Sequence, residues 1–157
     1  MRPLVRKSLD WIPQAPVCVT RSVRIAAPVD RVWEVVADHE SWPQWFGALT
    51  GVERIGSGEG VGGARRVHLK GLTVEEEFLA WEPGRRFAFT VVRATKPGIR
   101  SMVEDLRLEP DGDDATTVRY TQAIQPVAAR LLAPLLRRTF QKTLDEGLAG
   151  LDRHLTG

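Results

Sequence analysis

Residues 64–92, ARRVHLKGLTVEEEFLAWEPGRRFAFTVV, constrain this chain more than any other stretch, because two tight turns dictate which residues face each other. Lys70-Gly71 and Pro83-Gly84 punctuate three runs rich in β-branched and aromatic residues, so the segment reads as an antiparallel meander. A two-residue loop sets the pairing register. Around the first turn it opposes Leu69 to Leu72, Val67 to Val74 and Arg65 to Glu76. Around the second it opposes Glu82 to Arg85, Ala80 to Phe87, Phe78 to Phe89 and Glu76 to Val91. Opposed residues share a face. One face therefore collects Val67, Leu69, Val74, Phe78, Ala80, Phe87, Phe89 and Val91. The other collects Arg66, His68, Lys70, Thr73, Glu75, Glu77, Arg86 and Thr90, with Leu79 and Trp81 as apolar exceptions. A sheet with one wet face needs a cover on its dry one.

The remaining chain supplies more strands and one evident cover. Residues 17–26 alternate as a strand, with Val17, Val19, Val23 and Ile25 on one side and Arg21 interrupting the dry face. Pro28 ends it and opens a helix over 30–38, lined by Val32, Val35 and Val36. Ser41 is the expected cap of a second short helix, with Pro43 in its first turn and Trp42, Trp45 and Phe46 along it. Residues 49–55 form a strand, followed by a glycine-rich loop over 56–63. No Lys-Ser/Thr follows that loop, so it is no phosphate cradle. Strands are expected over 99–109, with Arg100, Met102, Glu104, Leu106 and Leu108 on one face, and over 115–124, with Val118, Tyr120, Gln122 and Ile124 on one face. Residues 126–155 carry Leu132, Leu136, Phe140, Leu144, Leu148, Leu151 and Leu155 at helical spacing, in a single stripe that suits the dry face. Pro134 kinks this helix or marks its start.

Bulk properties bound the function. At 157 residues the chain suits one domain, taken as 17–157, with residues 1–16 as a proline-bearing arm outside it. The balance of 22 basic to 20 acidic residues, a net charge of +2, carries no clustered basic footprint, so no nucleic-acid partner is expected. Cys18 is the single cysteine, which excludes an internal disulfide and a multi-cysteine metal site. His39, His68 and His154 belong to no recognisable triad or ligand set, so neither metal nor cofactor is expected. The most apolar run, 127–136, is short for a membrane span and holds Arg130 and Pro134. The N-terminus lacks a signal-peptide core, and a cytoplasmic location is the expectation.

Three stretches carry a resemblance. Ile25-Ala26-Ala27-Pro28-Val29-Asp30-Arg31-Val32-Trp33, Asp38-His39-Glu40-Ser41-Trp42-Pro43-Gln44-Trp45 and Trp81-Glu82-Pro83-Gly84-Arg85-Arg86-Phe87 resemble the strand-to-helix junction, second helix and hairpin of the START/Bet v 1-like (SRPBCC) superfamily, in its bacterial polyketide cyclase/dehydrase-like and lipid-transport branch. Glu82 and Gly84 depart from the usual Asp and second Pro of the hairpin. The resemblance runs from about residue 17 to 155. It implies an α+β helix-grip fold: a curved seven-stranded antiparallel sheet wrapped around a long C-terminal helix, with two short helices after the first strand. It also implies a cavity that takes sterols, lipids, polyketides, quinones or plant hormones, and it brings no superfamily-wide catalytic residue.

The pairing adds its own candidates. Arg65, Glu76 and Glu104 fall on the otherwise apolar face, with Arg65 and Glu76 directly opposed and Arg100 of the later strand a candidate to join them. A charge there is costly unless paired. Two accounts fit: strand ends that curl into solvent, or polar anchors inside an apolar pocket. For the second, Trp45, Arg65, Val67, Glu76, Phe78, Phe89, Met102, Glu104, Tyr120 and Phe140 are the expected ligand-binding residues. Glu76 and Glu104 are the candidate catalytic carboxylates, with Arg65 or Tyr120 stabilising an enolate-like oxyanion. A hydrophobic-ligand carrier or sensor is one reading; a polyketide cyclase, aromatase or dehydrase is its alternative. A carboxylate-bearing pocket under the helix favours the enzyme, and a wholly apolar one favours the carrier. A partner-binding module would instead have a collapsed cavity and an exposed apolar patch. Transient membrane contact, and a monomer or a homodimer, stay open.

Overall fold

The computed structural model describes residues 1–157, apart from the side chains of Ala129 and Arg130. Strands β2 (Val17–Ile25), β3 (Leu49–Ile55), β4 (Ala64–Leu69), β5 (Leu72–Glu82), β6 (Arg86–Ala94), β7 (Ile99–Pro110) and β8 (Thr116–Pro126) form an antiparallel sheet in the order β2-β8-β7-β6-β5-β4-β3. Helices α1 (Val29–Ala37) and α2 (Trp42–Trp45) follow β2, and α3 (Ala129–Thr156) closes the chain. This is the expected α+β helix-grip architecture, with one addition. Residues 1–16, expected to stand apart, lie against the sheet: β1 (Arg2–Pro3) pairs with β6 as an eighth strand, and a 3-10 helix follows at Leu9–Gln14.

The first meander turn has the expected register, Leu69 opposite Leu72 and Arg65 opposite Glu76. Gly71 supplies the positive φ of 73° that the turn requires. The second turn differs. Its loop holds three residues, Pro83 to Arg85, so Glu82 pairs with Arg86 rather than Arg85. A register shift between Phe78 and Ala80 compensates, and Phe78 still opposes Phe89. Between shift and turn the alternation is inverted. Ala80 pairs with Ala88, and Trp81 pairs with Phe87 on the inner face, where its ring stacks on Phe78 at 5.7 Å. Trp81 was expected on the wet face, and the extra loop residue is the reason it is not. Arg100 is exposed beside a second irregularity, between Ile99 and Ser101, and does not join the charged group.

The core fills one end of the space under the sheet. Val32, Val35 and Val36 of α1 are buried, as are Trp42, Trp45 and Phe46. Ser41 does not cap α2 through its side chain; its hydroxyl donates back to the Asp38 carbonyl at 2.8 Å. The second half of α3 packs closely on α2. A Cβ on Gly150 would lie 1.9 Å from the Trp45 carbonyl oxygen, and one on Gly147 2.6 Å from the Phe46 ring. Leu144, Leu148 and Leu151 are buried there, whereas Leu132 and Leu135 in the first half are exposed. Pro134 lies inside the helix and does not start it.

Candidate functional site

Between the sheet and the middle of α3 a pocket of about 330 Å³ remains. Val67, Val74, Phe89, Val91 and Met102 from the inner sheet face form its apolar walls, with Phe140 and Thr143 from α3. Arg65, Glu76, Glu104, Tyr120 and Gln122 give it a polar lining. All five are buried side chains, so these charges do not sit at strand ends curling into solvent.

The polar group is built by cross-strand register. Arg65 on β4 opposes Glu76 on β5, Phe89 on β6 opposes Glu104 on β7, and Glu104 opposes Gln122 on β8. The Arg65 Nε donates to Glu76 Oε2 at 2.6 Å, with both side chains at most 5% exposed. Its guanidinium stacks over Trp42 at 4.1 Å, Phe89 at 4.9 Å and Phe87 at 5.1 Å, which fixes its plane. The Tyr120 hydroxyl donates to Glu104 Oε2. One guanidinium cannot neutralise two buried carboxylates. Burial, with the Glu76 charge adding to it, raises the Glu104 carboxyl to about 7. Burial also pushes Glu76 upward, against the pull of Arg65. Burial and the neighbouring Glu104 push the Tyr120 phenol well above its ordinary value, so it stays a donor.

His39 completes the arrangement and was not among the expected residues. The turn after α1 buries it fully. Its Nε2 donates to the Gly58 carbonyl at 2.9 Å, and its Nδ1 accepts from Arg65 Nη1 at 3.2 Å. Burial and the adjacent Arg65 lower its pKa to about 4, so the ring is neutral and can accept that bond. The glycine-rich loop is thus tied through His39 to the charged centre of the pocket.

Of the ten expected ligand-binding residues, Arg65, Val67, Glu76, Phe89, Met102, Glu104, Tyr120 and Phe140 line the pocket. Trp45 and Phe78 do not. Trp45 packs tilted against Trp42, ring centroids 4.6 Å apart, beneath α3, and Phe78 packs on His39, Trp81 and Phe87. Both are core side chains. Trp42, Phe46, Gln122 and Leu4 take part in the lining instead. Among the described residues no group of three His, Cys, Asp or Glu side chains is arranged to hold a metal ion, and no helix is long and apolar enough to cross a membrane.

Comparisons with known proteins bear on the fold and the family. Residues 16–156 match the family model described as polyketide cyclase / dehydrase and lipid transport. Uncharacterized proteins of Mycobacterium tuberculosis and Mycobacterium bovis are 29% identical over 150 residues, covering 92% of this chain and 90% of theirs. A START superfamily protein from Mycobacterium smegmatis superposes with a TM-score of 0.75 at 16% identity, over 88% of this chain and 96% of its own. The Zhui aromatase/cyclase of a Streptomyces species superposes with a TM-score of 0.72 at 22% identity, over 88% of this chain and 92% of its own. At such identities the structural likeness speaks for the fold, which is START/Bet v 1-like. With the match spanning nearly every residue from β2 to the end of α3, the chain belongs to the polyketide cyclase / dehydrase and lipid transport family.

Proposed function

We propose that the chain binds a hydrophobic small molecule in this pocket and moves protons on it, as a cofactor-independent cyclase, aromatase or dehydrase. One observation carries the choice over a passive carrier: a carboxyl poised near neutrality, Glu104, sits with Tyr120, Arg65 and Glu76 in an otherwise apolar pocket. A carrier needs polar atoms to orient its cargo, but not two carboxyls sharing one guanidinium. At a pKa of about 7 both protonation states of Glu104 are populated near neutral pH. The carboxylate form takes a proton from a carbon next to a substrate carbonyl. The enolate carbon then attacks a second carbonyl of the same molecule, and the new alkoxide takes the proton back from Glu104. Loss of water from the resulting alcohol gives the unsaturated ring. Arg65, held by Glu76, His39 and three aromatic rings, provides a fixed positive charge for the enolate oxygen.

The apolar walls support the coarser reading, hydrophobic-ligand binding, whether or not turnover occurs. Native mass spectrometry of freshly purified protein, followed by extraction, tests both. A co-purifying lipid or polyketide is the expected result. Incubated with that compound, the wild type should give a dehydrated or cyclised product, and Glu104→Gln should bind it equally well and give none. Equal turnover by the variant removes Glu104 from catalysis. Binding without turnover by the wild type returns the protein to the carrier reading.

A further inference from the structure

The pocket wall has a gap that the sheet itself does not close. Pairing between β6 and β7 runs from Arg86–Arg107 to Thr90–Val103 and goes no further. At that limit the Thr90 hydroxyl, in place of a backbone amide, donates to the Met102 carbonyl at 3.2 Å. The N-terminal arm enters the fork beyond it. Arg2 and Pro3 pair with Ala94 and Arg93. The Leu4 amide then donates to the Val92 carbonyl on β6, and the Val5 amide to the Arg100 carbonyl on β7, each at 2.9 Å. Successive residues of one segment thus bond to both tines of the fork. Arg6 pins the outside with an ion pair to Glu77 at 2.7 Å. The Leu4 side chain is half-buried and lines the pocket, alongside Val91 and Met102. The arm lies outside the stretch 16–156 that the family model matches, so this part of the wall falls outside what the family match describes.

We propose that the arm is part of the ligand site, and that Leu4 limits how far a ligand's apolar end reaches into the β6–β7 fork. The inference rests on the reading that the pocket holds a hydrophobic molecule. Its physical basis is volume. Interiors are packed so closely that one or two added carbons are felt, and each buried methylene changes affinity by about fourfold. A side chain plugging the fork therefore discriminates by ligand size at that end and leaves the polar end unchanged.

Two fluorescent phenols of different size, 2-naphthol and 1-hydroxypyrene, test it on the full chain by titration. Leu4→Ala should bind 1-hydroxypyrene about tenfold more tightly than the wild type, and Leu4→Phe about tenfold more weakly. Both should hold 2-naphthol within about twofold, since the smaller ring system need not reach the fork. Equal shifts for the two probes, or no shift for either, overturn the inference. Amide hydrogen exchange at Leu4 and Val5 provides a readout that needs no ligand. Protected amides are expected; free exchange in the wild type means the arm is unseated, which overturns the inference and leaves the pocket reading intact. Protected amides with neither phenol bound by the wild type defeat the pocket reading, and the inference with it.

Discussion

The two halves of α3 do opposite things with similar residues. In the second half Leu144, Leu148 and Leu151 are buried, and Gly147 and Gly150 let the helix approach α2. In the first half Leu131 is 95% exposed and Leu135 63% exposed, and Val127, just before the helix, is 63% exposed. The helix packs closely on α2 at one end; at the other it keeps only partial cover, with Ala133 and Phe140 against the core, Arg137 hydrogen-bonded to the Cys18 carbonyl, and the pocket beside Phe140 and Thr143. The comparison teaches that in this fold a hollow is made by where the cover is held, not by small residues along its wall. The pocket walls carry Phe89, Met102 and Phe140, which are as large as the side chains of the packed end.

The anchored end is the place to break this arrangement. Gly150→Ala sets a methyl 1.9 Å from the backbone oxygen of Trp45, where no rotamer change relieves the clash. The helix must lift from α2 or the protein must unfold, at a cost of about 3 kcal/mol or more. Urea denaturation measures it, and a midpoint unchanged from the wild type would mean that α3 is not held at Gly150. Leu148→Ala is next. The side chain is 3% exposed, so removing it should cost about 2–5 kcal/mol by lost transfer energy and the cavity left behind. A loss below about 1 kcal/mol would indicate that this half is as loosely covered as the other.

Part of this was legible in the sequence, and the boundary is physical. The two-residue turn at Lys70-Gly71 fixes register, so the Arg65–Glu76 pair follows from counting. The three-residue loop after Glu82 does not announce itself, and it misplaced Trp81 and Ala80. His39 meets Arg65 across 26 residues through a corner between helices, where no periodicity operates. Helical spacing marked the α3 stripe correctly as a stripe. It is blind to whether anything lies beneath, so Leu132 scored the same as Leu148 although it is 46% exposed. Trp45 and Phe78 were expected in the pocket for a related reason: alternation gives a residue's face, and the distance to the helix decides between wall and core.

The polar group at the pocket gives a smaller effect with a definite sign. The Glu104 carboxyl rises from 4.5 unfolded to about 7 folded. The folded state therefore binds the extra proton between these values. The stability this contributes is full below about 4.5 and is lost as pH rises through about 7. His39 runs the other way: lowered from 6.5 to about 4, it contributes stability present above 6.5 and lost as pH falls through 4. The two oppose each other over most of this window. Glu104→Gln removes one of them, so its stability should climb more steeply from pH 4.5 to 7 than that of the wild type. Urea midpoints across that range check it. Parallel profiles would show that Glu104 is not protonated by its surroundings, and that the pocket end of the molecule is wetter than the anchored end.

The smallest effect is expected where the helix is unsupported. Leu131 and Leu135 project from the first half of α3 toward solvent, 95% and 63% exposed, so replacing both with Ser removes little buried surface. The only costs are a slightly poorer helix propensity and a small change in the unfolded chain. The double variant should stay within about 1 kcal/mol of the wild type, against several for one substitution at Gly150 or Leu148. That contrast sets the inward face of the anchored half, at Gly150 and Leu148, against the outward face of the first half, at Leu131 and Leu135. A loss of about 2 kcal/mol or more would require these leucines to be covered in solution. Because they lie on the face of α3 turned away from the buried stripe and do not line the pocket, that cover would be another molecule, such as a second copy of the chain.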